Sequence, residues 1–285
     1  MTRVAYQGEA GAYSETAIRG HFGSDVNAIS CGTFAQVLSA VESSTCEYGM
    51  LPVENSIAGS VNWAYELLME HDVRIYAEVI LRVRHLLLSA PGTTLETVRV
   101  VRSHPQALAQ CARYLDRRGF IAEAAADTAG AAYALSAAPE PGVAVIAGRN
   151  AAAQADLVIL DQAIEDSLVN YTRFFVLSLH DAPRADRNKT SIVFTTPHRS
   201  GALCECLREF ASRDISLCKI ESRPRADRAW QYVFYLDFEG HCEDSPCEAA
   251  LSGLLRRSSF VKMLGSYPVA DQPIDDGTSV DASCK

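Results

Sequence analysis

Three times near the start of this chain a short apolar run ends in a small polar loop that opens a helix-period pattern, the rhythm of a parallel α/β sheet. Residues 4–7 stop at Gly8-Glu9-Ala10-Gly11, and Ala17, Ile18 and Phe22 follow at helical spacing. Thr33-Phe34-Ala35-Gln36 reads as a capping box before the apolar positions Phe34, Val37, Leu38 and Val41. A buried strand at 48–53 then leads through Glu54-Asn55-Ser56-Ile57-Ala58-Gly59-Ser60 into a helix carrying Trp63, Leu67 and Leu68.

Strands at 73–81 and 83–89 follow with only a brief break, which marks a crossover into a second lobe. There the unit resumes. A strand at 98–102 meets Ser103-His104-Pro105-Gln106, a second capping box with Pro in the first turn, and a helix through Leu108, Cys111 and Leu115. Residues 121–124 precede the cap Asp127-Thr128-Ala129-Gly130 and an Ala-rich helix, and 143–146 with 148–155 repeat the pattern. Segments 157–160 and 172–179 return the chain to the first lobe. Two crossings leave a cleft between the lobes, where pockets concentrate. The first domain is expected over 1–182, with its second lobe at about 80–158.

A polar linker at 181–189 separates a shorter pattern: strand 190–196, helix 201–213, strands 215–223 and 230–239, helix 246–258, strand 261–269. The order βαββαβ is the ferredoxin-like arrangement and predicts a second domain over 189–270. Beyond Ala270 the chain is too polar to bury a core, and 271–285 is expected to be a disordered tail.

The chain has 285 residues, enough for two ordinary domains. Its 35 acidic and 26 basic residues give a formal charge of -9, which argues against nucleic acid and anionic membranes as partners. An anionic ligand would have to be caught by local groups rather than by net charge. Nine cysteines without framework spacing, with no leader ahead of them, are expected to be reduced thiols in a cytoplasm. Cys204 and Cys206 lie two apart in a helical pattern and face different directions, so no metal site is expected. The apolar run 80–90 is broken by Arg82, Arg84 and His85, so no membrane span is expected either.

Asn170-Tyr171-Thr172-Arg173-Phe174-Phe175 places a hydroxyl, a guanidinium and two rings at the entrance of an apolar strand. Strand alternation sends Thr172 and Phe174 to one face and Arg173 to the other. At a cleft this would supply a hydroxyl and a fork suited to carboxylates; the alternative is an edge strand with one solvated Arg. Loops 8–14, 54–59, 103–106 and 127–130 all lie between a strand and a helix. In open parallel sheets that end faces the ligand crevice, and free N–H groups there attract anions. Each loop alone is what a helix cap looks like. Their joint occurrence with Thr172 and Arg173 points to a site.

The combination resembles prephenate dehydratase. It rests on Gly8-Glu9-Ala10-Gly11-Ala12-Tyr13-Ser14-Glu15, Pro52-Val53-Glu54-Asn55-Ser56 with Gly59, Ser103-His104-Pro105-Gln106-Ala107-Leu108 and Asn170-Tyr171-Thr172-Arg173-Phe174, in order over about 1–270. The form without a fused chorismate mutase domain is the nearer match. The resemblance implies an α/β chain: a two-lobed catalytic domain resembling the type II periplasmic-binding-protein fold, then a ferredoxin-like βαββαβ ACT domain. It implies conversion of prephenate to phenylpyruvate with no metal or cofactor. Arg173 is then the carboxylate clamp. Thr172 is the hydroxyl nearest the leaving oxygen, as a proton relay or a hydrogen-bond donor, and Phe174 is a pocket wall or a core ring. Glu54 is a candidate acid if burial raises its pKa, or an anchor of the Asn55 loop. Ser14, Asn55, Ser56, Ser103, His104, Gln106 and Asn170 complete the substrate-binding candidates, His104 in a structural or substrate-edge role.

In the C-terminal unit, Gly201-Ala202-Leu203 and Glu221-Ser222-Arg223-Pro224 resemble the two segments that bind phenylalanine in that family, although alone they read as a helix cap and a turn. A homodimer or homotetramer is expected, the small domain's sheet giving a dimer face. Arogenate dehydratase is the alternative activity. A non-catalytic binding or amino-acid-sensing protein is a further reading, but the sequence offers neither a leader nor a helix-turn-helix with a basic face.

Overall fold

A computed structural model of the protein describes residues 1–224, 231–270 and 272–275. The first lobe contains β1 (Arg3–Gln7), α1 (Tyr13–Phe22), β2 (Asn27–Cys31), α2 (Phe34–Glu42), β3 (Tyr48–Asn55), β4 (Gly59–Ser60), α3 (Asn62–Glu70) and β5 (Arg74–Arg82). The second holds β6 (Leu86–Ser89), β7 (Val100–Ser103), α4 (Pro105–Gln110), α5 (Ala112–Arg118), β8 (Ile121–Ala124), α6 (Thr128–Ala137), β9 (Val143–Ala147), α7 (Arg149–Gln154) and β10 (Val158–Gln162). The chain returns to the first lobe as β11 (Tyr171–Ser178).

The first sheet runs β16-β5-β11-β3-β1-β2 with β4 on β3, and the second runs β10-β6-β9-β7-β8; β16 is the pair Ile274–Asp275. Neither sheet is wholly parallel. β1 pairs parallel with β2 and β3, whereas β11 runs antiparallel to both β3 and β5. The returning strand enters from the far lobe, so its direction is opposite to that of a strand reached through a crossover helix. Two edge strands were not expected from the sequence. β2 has a half-exposed face without apolar alternation, and β16 lies inside the segment read as a disordered tail. Ile274 pairs with Leu81, and Asp275 holds Arg84 through both carboxylate oxygens at 2.9 Å. The rest of that tail, and the expected strand start at Trp230, lie outside the described residues.

β12 (Asn188–Thr195), α8 (Ala202–Ala211), β13 (Leu217–Pro224), β14 (Tyr232–Glu239), α9 (Ser245–Arg257) and β15 (Phe260–Pro268) form the small unit. Its antiparallel order β13-β14-β12-β15 is that of a ferredoxin-like βαββαβ fold. Alternation gives this sheet two buried faces. Ile192, Phe194 and Leu236 pack with Cys206 and Phe210 of α8 and with Leu254 of α9. Val193, Tyr235 and Tyr267 join the first lobe's core beside Tyr65, Phe175 and Leu177. The sheet face expected to serve a dimer is therefore occupied largely by the first lobe.

Close backbone approaches fix the units on one another. Gly11, at φ +82, faces the backbone of Ala151 in the second lobe, where a Cβ would come within 2.7 Å of the Ala151 Cα. Gly265 of β15 similarly leaves room for the Ile75 carbonyl of β5, which an added Cβ would meet at 2.5 Å. Any side chain at either position would push a pair of units apart.

Candidate active site

The register of β11 against β3 decides which side chains reach the cleft. Thr172 lies opposite Asn55, and Arg173 opposite Glu54. Because successive residues of a strand face opposite ways, the first pair looks into the cleft and the second toward the small unit. The cleft is a cavity of about 210 Å³ whose lining includes Thr172, Phe174 and Asn55. Tyr13 and Ser14 enter from the start of α1; His104, Gln106 and Gln110 come from α4; Asp127 and Thr128 open α6. Phe174 is both expectations at once, a wall of the cleft and a core ring only 1% exposed.

Arg173 is not the carboxylate clamp that was expected. Its guanidinium is buried on the other face, 2.8 Å from Glu78, 2.6 Å from Asp237 and 3.0 Å from the Tyr267 hydroxyl, and it lies over the Phe175 ring. Lys189 completes the cluster at 2.8 Å from Glu78. Glu54 is likewise turned away from the cleft, with Lys219 at 3.1 Å and Arg173 at 3.9 Å, so it cannot serve there as an acid. Both corrections have one cause, the strand alternation that places Thr172 and Asn55 in the cleft.

Three further candidates support the site without lining it. Ser103 is fully buried and donates to the Ile146 carbonyl at 2.6 Å; the cap of α4 is His104, whose Nδ1 accepts from the Gln106 N–H at 3.2 Å. Ser56 ties the loop after β3 to the start of β11, donating to the Val169 carbonyl and accepting from the Tyr171 N–H. Asn170, 1% exposed, bridges the lobes: its Oδ1 accepts from Asn55 at 2.9 Å and its Nδ2 donates to Gln110 Oε1 at 3.0 Å.

Tyr13, His85, Gln110, Asp127 and Thr128 also line the cleft, although none of them stands out in the sequence as an individual site residue. Gln110 lies one turn after Gln106 on the same helix face, a signal that was available. His85 gave none, since one imidazole in an apolar run looks like a core histidine. It is 2% exposed, and burial holds its pKa below the ordinary value against the opposing pull of Gln110 and Glu165. The ring is therefore neutral near neutral pH.

Thr172 borders the cleft with its hydroxyl held by a neighbouring amide. Its Oγ1 accepts from the Asn55 amide at 3.1 Å, and the Asn55 oxygen is held by the N–H groups of Ile57 and Ala58, each at 3.0 Å. With that lone pair used, the hydroxyl proton is directed to another acceptor, and the side chain borders the cleft. No Lys or Arg is among the described lining residues; an anion there would meet neutral donors and the N–H end of α1, while the start of α6 carries the Asp127 carboxylate, which accepts from the Gly130 N–H.

A second cavity, of about 380 Å³, lies on the small unit and is lined by Gly201, Ala202 and Leu203 together with Arg199, Tyr232 and Phe234. Glu221, Ser222 and Arg223 do not line it. Ser222 is exposed on β13 opposite Phe234, while Glu221 bonds Ser60 of the first lobe and Arg223 approaches Glu66 at 3.8 Å.

A family model described as prephenate dehydratase matches residues 4–182. The chain is 41% identical over 278 residues to an Arabidopsis thaliana protein named arogenate dehydratase/prephenate dehydratase 2, chloroplastic, covering 94% of this chain and 73% of that one. The solved prephenate dehydratase of Arthrobacter aurescens in complex with L-Phe superposes with a TM-score of 0.87 at 30% identity, over 97% of this chain and 94% of that chain. GqqA, described as a novel type of quorum quenching acylase, gives the same TM-score at 33% identity, over 94% of this chain and 98% of its own.

Proposed function

The chain belongs to the prephenate dehydratase family, and from that premise we propose that its cleft converts prephenate to phenylpyruvate, carbon dioxide and water, a carbon–oxygen lyase step toward phenylalanine. The bond between the ring and its carboxylate breaks as carbon dioxide leaves. The electron pair moves through the ring and expels the hydroxyl from the opposite carbon, which departs as water once protonated. Aromatisation drives the step. What the protein must do is hold a dianion, stabilise charge on the leaving oxygen and let the carboxylate shed its water.

The observation that carries this reading is the hydrogen bond from Asn55 to Thr172 Oγ1, which leaves the threonine proton to donate to the leaving oxygen. A threonine hydroxyl is too weak an acid to give up its proton outright, so it hydrogen-bonds the departing oxygen, and the proton that completes the water comes from solvent. The carboxylates are held by the start of α1 with Ser14, Gln106 and the Thr128 hydroxyl. Acyl transfer of the GqqA kind would call for a nucleophile beside a base. Here Thr172 meets an amide, while the cleft's buried imidazole, His85, faces Gln110 and Tyr13.

Arogenate is the second reading. Asp127 is the only carboxylate among the described lining residues, and it suits the ammonium group that arogenate carries in place of a keto group. Residues 1–182 are the catalytic domain in this proposal. Residues 189–270 are an ACT-type regulatory domain that binds phenylalanine in the cavity at Gly201, in a homo-oligomer. Incubating the protein with prephenate and following phenylpyruvate, with arogenate and phenylalanine release in parallel, tests the activity. Failure to consume either substrate would sink the proposal, and the ratio of kcat/KM values decides between them.

A further inference from the structure

We propose that His85, at the crossing between the lobes, is a positioning residue for this reaction. Through Gln110, Asn170 and Asn55 it holds the hydrogen-bond chain that sets the direction of the Thr172 hydroxyl. The inference rests on the reading of Thr172 given above.

The chain can be built from its fixed end. The N–H groups of Ile57 and Ala58 occupy the Asn55 oxygen, so the Asn55 amide nitrogen must face Asn170, the Tyr171 carbonyl and Thr172. Asn170 then presents its oxygen to Asn55, at 2.9 Å, and its nitrogen to Gln110. Gln110 Oε1 accepts that bond at 3.0 Å and faces His85 Nε2 at 2.7 Å. Only a proton on His85 Nε2 satisfies this contact, which fixes the tautomer. His85 Nδ1 is left as the acceptor, 2.9 Å from the Tyr13 hydroxyl of α1. From His85 through Gln110 and Asn170 to Asn55 and Thr172, every link is a donor facing an acceptor, while the Tyr13 proton is shared between His85 Nδ1 and the Arg84 carbonyl, each at 2.9 Å.

Two features give His85 more than a filling role. Its backbone N–H donates to Glu165 at 3.0 Å, which pins the crossing segment between β5 and β6, so the ring is aimed by the main chain as well as by packing. Gln110 belongs to the second lobe, whereas Asn55, Asn170 and Thr172 belong to the first. The imidazole is thus the fixed group against which the second lobe's amide is registered on the first lobe's hydroxyl. Without it Gln110 can turn its nitrogen toward Asn170, setting donor against donor. Asn55 cannot follow because Ile57 and Ala58 hold its oxygen.

The test uses the full chain with His85→Leu, His85→Asn and His85→Gln, each alone and combined with Thr172→Ala. Asn is polar but too short to reach Gln110; Gln can still present an N–H to it. Leu and Asn should lower kcat about 10- to 100-fold, as misplacement of a reacting group does, while KM for prephenate stays within about threefold. Gln should restore kcat to within about threefold of the parent. In the Thr172→Ala background the Leu and Asn changes should cost less than about twofold in kcat, because the hydroxyl they misdirect is gone. A parent-like kcat in both variants, a loss confined to KM, or losses that multiply with Thr172→Ala would each overturn the proposal. Should the Leu variant not fold, the Asn variant carries the same comparison. An active Thr172→Ala would remove the reading of Thr172 and this inference together. An inactive Thr172→Ala beside fully active His85 variants removes the inference alone.

Discussion

Thr172 and Arg173 are adjacent in sequence and serve different units, so single substitutions separate their roles. On the proposed role of Thr172, Thr172→Ala deletes a donor aimed at charge that develops only in the transition state, and kcat should fall about 100-fold or more with little change in KM. Thr172→Ser keeps the hydroxyl and should retain part of the rate. An Ala variant that turns over normally would mean the hydroxyl has no chemical role. Arg173→Lys keeps the charge but loses the fork that reaches Glu78, Asp237 and Tyr267 together. Its expected cost is therefore stability, about 1–3 kcal/mol in denaturant unfolding, with KM for prephenate unchanged. A weakened KM at unchanged stability would return Arg173 to the cleft. The alternation that parts these two residues was legible in the sequence, but the family resemblance assigned both to one site. Which face of the strand meets the cleft depends on β3 and β5, which lie far off in the chain.

Glu78 of β5, Arg173 of β11, Lys189 of β12 and Asp237 of β14 meet in a buried cluster of two anions and two cations where the sheets of the first lobe and the small unit join. Burial pushes the Glu78 carboxyl up, yet Arg173 and then Lys189 outweigh it, and the pKa lies below its usual value. A carboxyl lowered in the folded state contributes stability that is fully present above its unfolded pKa of about 4.3 and is lost as pH falls through the folded value. The melting temperature should accordingly drop as pH is lowered from about 5 to 3. Glu78→Gln should lose this part of the pH dependence and be less stable by about 3 kcal/mol at neutral pH, since it leaves Lys189 without its carboxylate and Arg173 with Asp237 as its remaining close carboxylate. Equal acid sensitivity in parent and variant would contradict the assignment. Elements with strong local patterns were readable from the sequence: the capped helices, the repeated strands and the βαββαβ order. β2 and β16 were not, because short edge strands have little apolar alternation. The antiparallel direction of β11 was hidden too, since it follows from the chain's return rather than from local composition.

For the whole molecule, the alternation seen at Thr172 makes a route between the small unit and the cleft. Phe234 lines the cavity at Gly201 and pairs across the sheet with Ser222 of β13. The inward residues of β13 hold the first lobe: Lys219 reaches the Ser60 hydroxyl at 2.8 Å and Glu54 at 3.1 Å, and Glu221 bonds Ser60. Glu54 is next to Asn55, whose amide donates to the Thr172 hydroxyl at 3.1 Å. A shift of β13 on phenylalanine binding would reach the catalytic pair through one peptide unit. Phenylalanine is then expected to weaken prephenate binding, and linkage requires prephenate to weaken phenylalanine binding by the same factor, of the order of 5–150. Lys219→Met keeps the apolar stem and removes the ammonium group that joins β13 to Ser60 and Glu54. It should leave phenylalanine affinity in the absence of substrate within about twofold, yet bring the coupling factor close to one. Calorimetric titration of phenylalanine with and without a non-reactive prephenate analogue measures that factor directly. A factor unchanged in Lys219→Met would show that the signal bypasses this contact. A parent protein in which neither ligand alters the other's affinity would mean that the two cavities are not coupled.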